Sequence, residues 1–429
     1  PRLSSAASDV YKRQLMNNVK NFDIISCLLV LFLMLIGLVN IYSSTYFAEM
    51  SFFSLDNFFG KQLFFCVICI CTFFLCIVTD IKIYFKFGSI IYLIMILILF
   101  AVLFFGNEVN GSRSWFSVAG FSFQPSEFMK PVTALALAKF LSNINSDIKK
   151  FRTQVYSFII ISIPLLLVVI QPDPGTALVF FGFYLVLHII GLPSIYLNIF
   201  ITSIIIFLST VYFGKTNMII FSSLLFGLFF THRLYKGLKK KRLIYYTVSS
   251  IIFILCVDLI FNNIFEQRHR DRFNIVLGLD DDLKGIGYNT NQSQLAFKSG
   301  GIFGEGFLKG SQTKGDFIPE QHSDYIFATI GEEWGFVGSL VTILVFSLLL
   351  LRIIDRTSIQ RNIFYKIYSY CVIVLIFFHF AINISMVIGI FPSVGIPLPF
   401  ISYGGSSMLA FTILFAGYIK IDSSKKEKW

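Results

Sequence analysis

Three consecutive carboxylates, Asp280, Asp281 and Asp282, stand in a chain that carries only 24 Asp and Glu among 429 residues. A carboxylate of suitable pKa can take a proton from an attacking hydroxyl, and three in a row raise one another's pKa values. The cations that could hold an anionic substrate or leaving group are Arg113, Lys130 and Arg272, each in or beside a polar stretch. Two more carboxylates, Glu332 and Glu333, are expected about two turns into an apolar run. Burying them there is costly unless they pair, face a groove or bind a metal. Lys130 sits in the first turns of another apolar run, where it either snorkels to the interface or serves a function. Glu127, after Pro125 and Ser126, reads as a helix N-terminal signal. Asp173, His322 and Asp324 fall at the edges of apolar runs, where turn and capping roles are the default.

The elements that must position these residues are membrane helices. The chain is 56% apolar and 14% charged, with a mean hydropathy of +0.76 and 52 Phe, far more apolar surface than a water-facing globule can enclose. Apolar runs near 22–43, 62–79, 87–106, 126–142, 155–171, 175–191, 194–213, 217–231, 244–261, 324–351, 364–390 and 399–421 predict an all-α polytopic bundle of about 10–12 spans. The net charge of +11 does not point to nucleic acid, because Lys and Arg fill the short links between runs. With both termini in the cytoplasm, every basic link satisfies the positive-inside bias. One large outer segment, about 262–323, then holds most of the non-membrane Gly and acidic residues, and a smaller one covers 107–124. The seven Cys lie inside apolar runs, so no disulfide framework is expected, and Cys66 and Cys69 lack the second ligand pair a zinc site needs. Pro1–Leu15 matches nothing downstream and is expected to be a non-native or disordered segment, leaving 16–429 as a single transmembrane domain.

Four polar stretches interrupt the apolar background: NGSRSWFSVAGFSFQPSEFMK (110–130), QPDPGT (171–176), the stretch from RFNIVLGLDDDLKGIGY (272–288) through GEEWG (331–335), and GIPLPFISYGGSS (395–407). In this order they resemble the SEDS family of bacterial cell-wall polymerases. The GSQTK at 310–314 is nearer to the family's RodA branch than to its FtsW branch, which more often reads GNS there. The resemblance covers the chain from Phe22 onward.

It implies a peptidoglycan glycosyltransferase that joins lipid II units through β-1,4 bonds by an inverting mechanism. The family's essential Asp precedes the Gly of the GY pair by five residues, which lands on Asp282, and an Arg ten residues earlier falls on Arg272. Substrate binding is then assigned to Arg113, Lys130, Arg272, Gln292 and Ser293, with Glu332 and Glu333 as metal or groove residues. The resemblance also implies a divalent cation, Mg2+ or Mn2+, and a bacterial inner-membrane location. The partners it implies are a class B penicillin-binding protein and elongation-complex proteins such as MreC and MreD. The family has ten spans, so twelve runs suggest an inserted hairpin at 217–231 and 244–261. A lipid II flippase, a division polymerase of the FtsW type and a non-catalytic scaffold are the competing readings.

Overall fold

A computed structural model describes residues 22–46, 53–109, 111–118, 121–235, 241–279, 285 and 287–423. It divides into two compact units, one formed by the residues up to Leu192 together with those from Gln292 on, the other by Pro193–Asn291. In the first unit lie α1 (Ile24–Ser44), α2 (Phe58–Val78), α3 (Ile81–Phe105), α4 (Pro125–Leu141), α5 (Phe151–Ile170) and α6 (Pro174–Ile190). The second holds α7 (Ser194–Phe213), α8 (Lys215–Tyr235), α9 (Lys241–Leu259), a π-helical turn at Ile260–Ile264 and α10 (Gln267–Val276). The chain returns to the first unit along α11 (Tyr288–Gly300), then forms α12 (Ser311–Lys314), α13 (Ile326–Glu333), α14 (Gly335–Ser358), α15 (Ile363–Val387) and α16 (Gly405–Ser423).

A helix stands at each of the twelve expected runs. Among the described residues, eight segments are long and apolar enough to cross a membrane: α1, α2, α3, α5, α7, Leu243–Asn263, α14 and α15. The protein is therefore a multi-pass helical membrane protein. The hairpin expected at 217–231 and 244–261 corresponds to α8 and α9, inside the second unit. The run expected at 324–351 is broken. Gly335 adopts φ +63, a left-handed conformation that separates α13 from the spanning α14. Glu332 and Glu333 thus end a short helix ahead of the span and are not inside it.

In the segment expected to be the smaller outer one stands a three-stranded antiparallel sheet, β1 (Asn107–Val109), β2 (Ser112–Val118) and β3 (Phe121–Phe123), in the order β1-β2-β3. The strands are short, three to seven residues each.

The core of the first unit is α4, whose Ala134, Ala136 and Ala138 are buried and let its neighbours approach closely. Pro125 at its first turn, Glu127 just after and Lys139 in its last turn match the helix dipole. At the start of α1, the buried Asp23 caps Ser26 and accepts Arg352 Nη2 at 3.2 Å and Arg356 Nε at 3.4 Å. Arg356 also pairs with the buried Asp422 of α16, which takes a second bond from Gln360 Nε2 at 2.9 Å. Each carboxylate buried there is matched by a cation, as burial demands.

Candidate active site

The polar stretches, far apart in sequence, are tied to one another within the first unit. Gln124, just ahead of α4, donates from Nε2 to Asp173 Oδ2 at 3.0 Å, and its backbone N–H meets Ser406 Oγ of α16 at 3.3 Å. Ser406 donates in turn to the Ser122 carbonyl of β3. Ser112 of β2 donates to the Gln171 carbonyl at 2.6 Å, so the sheet is fastened to the QPDPGT turn. On the other side, Ser402 Oγ donates to the Ser323 carbonyl and Tyr403 N–H to the His322 carbonyl. Asn383 of α15 joins this turn to the segment before α16 by donating to the carbonyls of Asp324 and Ile396.

Asp173 caps α6 through Thr176 N–H at 3.0 Å. Burial pushes its carboxyl above the usual carboxylate range; the Thr176 donors oppose this, Glu127 adds to the rise and Lys130 works against it. Lys130 does not snorkel. It is buried, with Nζ 2.6 Å from Glu127 Oε1 and 2.9 Å from His379 Nε2. The Phe411 ring lies 5.6 Å from the ammonium and meets the His379 imidazole edge-on at 4.7 Å. Glu127 Oε2 is buried with no hydrogen-bond partner, so the second carboxylate oxygen is left available to a donor. This gives one cation, two carboxylates and an imidazole beside the start of α6. Glu127, Lys130 and His379 are buried, and their apolar surround strengthens each charge interaction.

Glu332 is fully buried. Its carboxylate accepts the backbone N–H groups of Gln312 at 2.6 Å and Thr313 at 2.9 Å, the Thr313 hydroxyl at 2.6 Å and the Ser311 hydroxyl at 3.3 Å, and so holds down the 311–313 turn. Glu333 Oε1 accepts the Ser43 hydroxyl and the Leu308 N–H. Burial pushes its carboxyl up to about 7 and Glu332 adds to the rise, against the Ser43 and Leu308 hydrogen bonds and Lys314. A divalent cation between these two carboxylates does not fit, because the Glu332 oxygens are committed to their own loop. No group of three His, Cys, Asp or Glu is gathered to hold a metal among the described residues.

Arg113 on β2 is exposed and pairs with Glu108 of β1 at 3.6 Å. Ser293 is buried and donates to the Val387 carbonyl at 2.6 Å, tying α11 to the end of α15, while the adjacent Gln292 is partly buried. Arg272 belongs to α10 in the second unit. Asp282, with Asp280 and Asp281, lies outside the described residues. Sequence reading missed His379, which sits in an apolar helix with no local motif; its only signal is a polar ring in a span, itself a functional cue in membranes.

The chain matches the family of FtsW, RodA and SpoVE, described as "Cell cycle protein", over residues 24–223 and 214–427. It is 31% identical over 418 residues to the peptidoglycan glycosyltransferase RodA of Treponema pallidum (strain Nichols), covering 91% of this chain and 95% of that one. It is 29% identical over 339 residues to the peptidoglycan glycosyltransferase MrdB of Escherichia coli (strain K12), covering 79% of this chain and 77% of the other. The fold is similar to that of a chain solved in work on the structural coordination of polymerization and crosslinking by a peptidoglycan synthase complex, with a TM-score of 0.70, 22% identity and coverage of 95% and 99%. With the four polar stretches in order and both ends of the alignment inside the helical region, the chain belongs to the FtsW, RodA and SpoVE family.

Proposed function

We infer that the chain is a peptidoglycan glycosyltransferase that polymerises lipid II into glycan strands during cell-wall elongation. The observation that carries this is its likeness, over nine-tenths of its length, to a relative named for that activity.

In the proposed reaction an acceptor sugar hydroxyl attacks the anomeric carbon of the donor. The new glycosidic C–O bond forms as the bond to pyrophosphate breaks, with inversion, and Asp282 takes the hydroxyl proton. Arg113, Lys130 and Arg272, with Gln292 and Ser293, are the proposed substrate-binding residues. A divalent cation, Mg2+ or Mn2+, rests on family resemblance, and no step here runs through it. The solved relative comes from a peptidoglycan synthase complex that couples polymerization to crosslinking. On that basis a class B penicillin-binding protein is the proposed partner, with MreC and MreD around it by resemblance. The inner membrane, with both termini cytoplasmic, is the proposed setting.

The test is polymerisation of purified lipid II by the detergent-solubilised protein with its penicillin-binding partner, comparing wild type with Asp282→Ala and Asp281→Ala. Glycan strands lost only in Asp282→Ala, with the complex intact, support both the activity and the base. If neither substitution matters, Asp282 is not the base. If wild type forms no polymer yet moves lipid II across vesicles, the transporter reading replaces this one.

A further inference from the structure

The turn after α11 carries two exposed apolar side chains: Ile302 is 64% and Phe303 82% exposed. The turn is built rigidly. Gly301 and Gly304 take φ +52 and +81, and a Cβ on Gly304 would come within 2.1 Å of the Glu333 carbonyl. Its backbone is bonded to the junction of α13 and α14: Glu305 N–H to the Glu332 carbonyl, Gly306 N–H to Glu333, Phe336 N–H to Gly301 and Val337 N–H to Ile302. The last two contacts fix Gly301 and Ile302 at the level of the first turn of α14, a membrane-spanning helix that begins at Gly335.

From that turn a stripe of exposed apolar residues, Phe336, Leu340, Leu344 and Leu348, runs down α14 at the four-residue spacing of one helix face. The turn carrying Ile302 and Phe303 is bonded to the top of this stripe through Phe336 N–H and Val337 N–H. Trp334, half-exposed and donating from Nε1 to Asn40 Oδ1 at 3.2 Å, stands at the same level, as ring side chains do at membrane boundaries. Lys298 and Lys309, both exposed, flank the tip, while the acid between them, Glu305, turns its carboxylate to the Ser311 N–H. Exposed rings on a rigid turn, with basic flanks, match what inserts shallowly into a bilayer interface.

We propose that the Gly301–Gly304 turn is a membrane-inserted lip: Ile302 and Phe303 lie in lipid at the headgroup–acyl boundary and hold the loop after α11 at a fixed depth. The occupant of this surface is phospholipid, because the turn is bonded to the top of the lipid-facing stripe of α14. The inference goes beyond the catalytic reading and stands or falls separately from it.

The test is Phe303→Trp and, in parallel, Ile302→Trp, each reconstituted as the full chain in phospholipid vesicles. Both positions point outward, so the substitutions leave the packing intact. The added emission, read as the difference from wild type, is expected to be quenched about twofold more by phospholipids brominated near the top of the acyl chains than by those brominated near the chain ends, as a shallow position requires. Emission untouched by either brominated lipid, but quenched by aqueous iodide, overturns the proposal. So does emission that stays water-like in vesicles and shifts to the blue only when a penicillin-binding protein is added, which makes the tip a protein-docking surface.

Discussion

Lys130 Nζ and His379 Nε2 face each other at 2.9 Å, and two nitrogens can share that distance only if one of them accepts. His379 Nδ1 lies 2.9 Å from the Leu375 carbonyl, which can only accept, so Nδ1 carries the imidazole proton and Nε2 accepts a hydrogen bond from the Lys130 ammonium. Among the described residues, Glu127 is the counter-ion within hydrogen-bond reach of Lys130. Lys130→Met therefore strands a buried carboxylate. It is expected to lower stability by about 3–5 kcal/mol, the range for breaking one side of a buried pair. Removing both charges in Lys130→Met/Glu127→Met is expected to restore most of that loss, although polymerisation stays low in both proteins. Denaturant unfolding in detergent measures the cycle, and a single-variant cost of only about 1 kcal/mol or less rules out the counter-ion role.

Glu333 makes stability depend on pH. Its carboxyl is raised from 4.5 to about 7, so the folded protein holds the proton more tightly than the unfolded chain. The stability this contributes is fully present below 4.5 and is lost as the pH rises through about 7. Melting temperature is expected to fall between these values in wild type and to fall less steeply in Glu333→Gln, whose amide oxygen still accepts from Ser43 and Leu308. Parallel profiles for the two proteins exclude Glu333 as the titrating group.

Arg113 separates substrate binding from structural support. Its pair with Glu108 is exposed on both sides, and such pairs contribute about 0–1 kcal/mol. Arg113→Gln is expected to leave the melting temperature almost unchanged while raising the KM for lipid II several-fold, with kcat less affected. A variant with unchanged KM removes Arg113 from the proposed binding set.

The helices were legible because their signal is local: about 20 apolar residues in a row, repeated along the chain. The break at Trp334 and Gly335 was written as GEEWG, but hydropathy averages across a single left-handed glycine, so two carboxylates were assigned to the interior of a span that starts after them. The sheet had a signal too, in the Asn110-Gly111 and Ala119-Gly120 pairs between Val, Trp and Phe, a turn chemistry that a membrane reading passes over. The Lys130 environment was half legible. Glu127 is one helical turn away and could be paired from spacing, whereas His379 arrives from a helix some 249 residues later and leaves no trace in the local sequence. The committed oxygens of Glu332 likewise depend on a turn whose path only the fold defines.

The ion cluster at Asp23 sets an order of events during synthesis. Arg352 follows Asp23 by 329 residues, and Asp422 comes 66 residues after Arg356. Until α14 has been made, the first helix holds a carboxylate whose cationic partners do not yet exist, and that carboxylate must stay in water or be protonated. Final seating of α1 is thus a late step that waits for α14 and α16 to be made, although α1 precedes them by hundreds of residues.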